Sequence, residues 1–84
     1  MVELPFFLTR EGREQEQREA VVREVTCAIR ARLGNAIRSL HVVYGDEGIV
    51  LTGRTSSYND RMMATFLAND HARGKFVQND IEVR

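Results

Sequence analysis

Eighty-four residues make one domain, and folding at that size removes only about 60 to 65% of the unfolded surface from water, so the core must be thin. A hydrophobic fraction of 43% beside 29% charged residues fits a globular chain and excludes a disordered one. A formal charge of zero argues against a surface given over wholly to nucleic acid, and the single cysteine, Cys27, excludes an intrachain disulfide and a thiolate metal cage.

Residues 1–12 read as an arm. Pro5 blocks a helix interior, Phe6, Phe7 and Leu8 want cover, and Gly12 closes the segment. Its start carries Glu3 and no cation, so it is neither a signal peptide nor a spanning helix. A complete chain of this kind is expected in the cytoplasm; one whose leader had been removed is expected in the periplasm.

Residues 13–84 form the single domain. From Arg13 to Leu33 the composition is rich in Glu, Gln, Arg and Ala, all helix formers. Val22, Val25, Ile29 and Leu33 recur at helical spacing, with Val21 and Ala28 widening the buried stripe. Glu14 with Arg18 and Glu19 with Arg23 stand four apart in the favourable order, and Arg30 and Arg32 complement the dipole of the last turn. Gly34-Asn35 supplies a left-handed stop.

Leu40, Val42 and Tyr44 then alternate with Ser39, His41 and Val43, the period of a strand with one buried face. The Gly45-Asp46-Glu47-Gly48 connection returns the chain antiparallel into Ile49, Leu51 and Gly53. Ser57 with Asp60 approximates a capping box, so a second helix runs from about Tyr58 to His71, with Met63, Phe66 and Leu67 inward and Ala64 and Ala68 allowing close approach. Gly74 ends it, and Val77, Ile81 and Val83 alternate with Gln78, Asp80 and Glu82 as a last strand. A right-handed crossover places that strand parallel to the second. The expected fold is α+β: a two-layer α-β-β-α-β sandwich, with two helices on one face of a three-stranded sheet whose centre is the second strand.

In this order, residues 37–83 resemble a BON domain, the small module of bacterial periplasmic, envelope and stress-related proteins. The matching residues are Gly48-Ile49-Val50-Leu51-Thr52-Gly53, the Ser56-Ser57 helix start, Ala64 and Ala68, and the closing Val77-Gln78-Asn79-Asp80-Ile81-Glu82-Val83. The resemblance implies binding without catalysis, to phospholipid surfaces or to other envelope proteins. It also implies structural roles: Gly53 would permit close backbone approach, and Asn79 would settle the start of the last strand or the adjacent turn by side-chain hydrogen bonds.

The candidates for chemistry are few. His41 and His71 are thirty residues apart with no metal-ligand spacing, and Cys27, with no nearby His, is expected as a small, half-buried core residue. Asp46 and Glu47 are explained by turn chemistry, and Gly45-x-x-Gly48 lacks the helix and Lys-Ser/Thr of a phosphate loop. A Gly-x-x-Gly between strands also departs from RNA binders of the KH type, which carry it between helices. No catalytic residue, cofactor, metal or nucleic-acid partner is expected.

Two surfaces remain. Arg23, Arg30, Arg32 and Arg38, set against Glu24 alone, are the candidate for an anionic membrane surface, at about 1 kcal/mol per cation near such a surface. Eleven of the twelve cations are arginine, however, and a G- and C-rich coding bias would produce that preference too. The other surface is the uncovered sheet face, where Val43, Val50 and Arg54 would meet a protein partner, a second copy in a homodimer, or the chain's own Phe6, Phe7 and Leu8 folded back.

Overall fold

The computed structural model describes residues 10–84, with side chains from Glu14 onward. Helix α1 spans Arg10–Leu33, and a single 3-10 turn, Gly34–Ala36, leads into β1 (Arg38–Gly45), β2 (Gly48–Thr55), α2 (Tyr58–His71) and β3 (Phe76–Val83). The sheet order is β1-β2-β3, with β1 antiparallel and β3 parallel to the central β2. This is the expected α+β arrangement.

The ends of the helices follow local chemistry. Gly34 takes a φ of +54°, the left-handed conformation that releases the chain from α1. Ser57 caps α2, its side-chain oxygen accepting from the Asp60 N–H at 3.3 Å. Helix α1 already includes Gly12, where the sequence suggested a boundary; among such strong helix formers one glycine, costing about 1 kcal/mol, does not break the run. The remainder of the arm, with the expected fold-back of Phe6, Phe7 and Leu8, lies outside the described residues.

One buried cluster joins the layers: Val21, Val25 and Ile29 from α1, Ala64 and Ala68 from α2, and Leu40, Ile49, Leu51 and Ile81 from the sheet. Each large aliphatic side chain so buried contributes about 1.5 to 3 kcal/mol relative to exposure. The α1 stripe is turned slightly from expectation, since Val21 is fully inside and Val22 only half-buried, while Leu33 packs against the cluster as expected. Cys27 is exposed rather than half-buried, because a step of two residues from both Val25 and Ile29 puts it about 200° round the helix, on the outer face.

A larger correction concerns α2. Its contact with the core is made by the small residues Ala64 and Ala68, continued by Ala72, with the half-buried Leu67 packed against them as expected, while Met63 is half-buried outside that cluster and Phe66 is 61% exposed. A helix lying this close to its neighbours has no room for an aromatic ring between them.

Asn79 also differs from expectation: it sits within β3 and ties that strand to α2. Its Nδ2 donates to the Arg61 carbonyl (2.8 Å) and to Thr65 Oγ1 (2.7 Å), and its Oδ1 accepts from the Ile81 N–H (3.0 Å). Arg61 in turn donates from Nε to the Ile81 carbonyl (2.9 Å) and from Nη2 to the Asn79 carbonyl (3.0 Å). Side chains thus satisfy three backbone groups of Asn79 and Ile81, which obstructs an added strand along the middle of the β3 edge.

Gly53 does permit close approach. Its φ is +152°, and a Cβ there would stand 2.9 Å from the Arg38 carbonyl oxygen. That carbonyl is brought in by a register shift between Arg38 and His41, where Ser39 has a φ of +54°.

Candidate functional site

Strand alternation sends Leu40, Ile49, Leu51 and Ile81 to the helices, and among the described residues nothing covers the opposite sheet face. The register arranges that outer face in rows across β1, β2 and β3. Gly45, Gly48 and Phe76 form the first row; Val43, Val50 and Gln78 the second; His41, Thr52 and Asp80 the third; Arg38, Arg54 and Glu82 the last. Phe76 is 82% exposed and Val43 56%, while Val50 is half-buried.

The first row is concave. Gly48 has a φ of +141°, and a Cβ on it would lie 2.3 Å from the Phe76 carbonyl oxygen, so β3 passes directly beside a strand with no side chain there. With Gly45, the Asp46-Glu47 turn and Phe76, this makes a notch of about 640 Å³. Neither Asp46 nor Glu47 has an ion-pair partner among the described residues. Phe76 was not legible as a site residue; its one signal is an aromatic out of phase with Val77, Ile81 and Val83.

At the other end of the sheet, Arg38 and Arg54 are direct cross-strand partners, an arrangement that costs rather than stabilises. They line a polar cleft of about 540 Å³ with Ser39, Ser56 and Arg84. Arg84 pairs with Glu82 at 2.9 Å, whereas Arg38 and Arg54 have no ion-pair partner among the described residues.

The four arginines singled out in the sequence are not gathered into one patch. Arg23 and Arg30, seven residues apart, share a helix face, but Arg32 lies about 200° round the helix from Arg30. Arg38 belongs to the sheet and joins Arg54 instead. Glu24, which seemed to oppose the helix arginines, is held by Arg73 at 3.0 Å. Of the proposed partner-face residues, Val43 and Val50 are adjacent in the second row and Arg54 lies two rows away.

Helix α2 carries a surface that the sequence reading missed. Tyr58, Met62 and Phe66 are 74%, 57% and 61% exposed, and steps of four residues align them along one side of the helix. The only Lys or Arg on α2 is Arg61, which is occupied by β3, while the exposed Asp70 lies beside the row, four residues after Phe66. The signal for it was the four-residue step itself, parallel to the Ala64, Ala68, Ala72 series that faces inward.

The reactive side chains stay apart. His41, on the outer sheet face, has its Nδ1 2.9 Å from the Ser39 carbonyl oxygen; His71 ends α2 and Cys27 lies on α1. Among the described residues, no three His, Cys, Asp or Glu side chains are grouped as metal ligands, and no helix is long and apolar enough to cross a membrane. No family model matches the chain, and neither a curated protein nor a solved structure matches it.

Proposed function

We propose that the chain is a non-catalytic BON-like binding module that takes a protein partner on the exposed side of α2. The observation that carries this reading is the row Tyr58, Met62 and Phe66, three large side chains left in water on a helix whose other side is packed. Tyr, Phe and Met are the residue types enriched at the centres of protein interfaces, and buried aromatics dominate their energetics. The carboxylate of Asp70 beside the row, with no Lys or Arg of α2 free near it, suits a partner bearing a cation and opposes an anionic bilayer.

A second reading, attachment to an anionic phospholipid surface, draws on the cleft where Arg38 and Arg54 stand without carboxylate partners. The two are separated by one set of proteins. Immobilised wild type, a Met62→Ser/Phe66→Ser variant and an Arg38→Gln/Arg54→Gln variant are exposed to native extract of the source cells and, separately, to phosphatidylcholine vesicles with and without phosphatidylglycerol. The first reading expects a captured protein that the Met62→Ser/Phe66→Ser variant loses and the arginine variant keeps. Equal capture by all three overturns it. Sedimentation only with the anionic vesicles, abolished in the arginine variant, would establish the second instead.

A further inference from the structure

We infer that the sheet face left open by the described residues is occupied by a second copy of the chain, packed face to face about a twofold axis parallel to β2, with Phe76 of each copy seated in the Gly45/Gly48 notch of the other. This goes beyond the α2 reading and does not rest on it, because α2 lies in the layer on the other side of the sheet.

An isologous contact must be complementary to itself. An axis along the central strand sets β1 of one copy over β3 of the other and keeps each cross-strand row facing the same row. In the first row, Phe76 therefore faces Gly45: a ring that is 82% exposed meets a notch where two neighbouring positions lack side chains. In the second row, Val50 meets Val50 on the axis. Lys75, directly before Phe76, comes against the Asp46-Glu47 turn, whose carboxylates have no ion-pair partner among the described residues. In the last row, Arg38 falls opposite Glu82.

The alternative in-plane axis, across the strands, would set Phe76 over Glu82 and Arg38 over Gly45. That axis would seat a ring on the ion pair of Glu82 with Arg84 and leave the Gly45/Gly48 notch without a ring to fill it, so the fit of Phe76 selects the first axis. The first axis also brings the two Arg54 side chains together, with a Glu82 in register on either side of them. Three strands of eight residues present about 14 Å by about 26 Å, or about 370 Å² per copy. Two such faces fall short of the roughly 1,200 Å² of a standard interface, so the dimer is a weak, concentration-dependent one.

Sedimentation equilibrium of the full chain over a wide concentration series tests this. Wild type is expected to rise from monomer mass toward twice that mass. Phe76→Asp and Gly45→Val, the latter filling the notch where a Cβ meets nothing closer than the Gly48 oxygen at 3.7 Å, are expected to stay monomeric with unchanged far-ultraviolet circular dichroism. Lys75→Glu and Glu47→Lys should each weaken association by up to about tenfold, and combining them should restore it. A wild type that is monomeric throughout, or a dimer indifferent to Phe76→Asp, overturns the inference. A monomer that still captures its partner through α2 would refute the dimer alone.

Discussion

Arg61 and Asn79 each bond the other's backbone: the Arg61 guanidinium donates to the Asn79 carbonyl at 3.0 Å, and the Asn79 amide donates to the Arg61 carbonyl at 2.8 Å. The exchange fixes α2 against β3 and so determines which side of α2 is left in water. Replacing Asn79 by Ala strands the Thr65 hydroxyl and the Ile81 N–H in a part-buried site, and is expected to cost about 2 kcal/mol in urea unfolding. Arg61→Leu should cost a similar amount. Asp80→Ala, next in the chain but exposed and bonded only to Gln78, should stay within about 0.5 kcal/mol of wild type.

The two glycines that bracket the hairpin turn should respond differently to the same substitution. Gly48→Ala places a methyl group 2.3 Å from the Phe76 oxygen at a φ of +141°, so β3 must shift or the backbone must change, at a cost of about 2 kcal/mol or more. Gly45→Ala meets only ordinary van der Waals contact and should change stability by less than about 0.5 kcal/mol. Thermal melts of the two variants check the contrast.

On α2, size and importance to the fold are inverted. Ala64→Leu forces a larger side chain into a fully buried contact and is expected to lose about 1 to 3 kcal/mol, whereas Phe66→Ser should leave the melting temperature nearly unchanged. A large loss with Phe66→Ser would mean that the ring is covered in the native state.

The cross-strand pair Arg38 and Arg54 predicts a gain. Arg38→Glu turns a like-charge neighbour into an opposite one and should raise stability by about 0.2 to 1 kcal/mol at low salt, fading as salt is added. Urea titrations at two ionic strengths measure both the sign and the screening.

The sequence by itself determined the elements and their order. Hydrophobic alternation in β2, the cap at Ser57 and the stop at Gly34 are local signals, and the right-handed crossover then leaves β2 central. Only the tertiary structure decided which side chains reach water. Periodicity marks an apolar stripe but not how closely the helix approaches its neighbours, so Phe66 read as core where Ala64 and Ala68 had already filled the space. Proximity along the chain likewise grouped Arg23, Arg30, Arg32 and Arg38, which the turn of α1 and the register of β1 point apart. Phe76 and the Arg61–Asn79 exchange depend on strands and helices 18 or more residues apart, a distance over which no local pattern carries information.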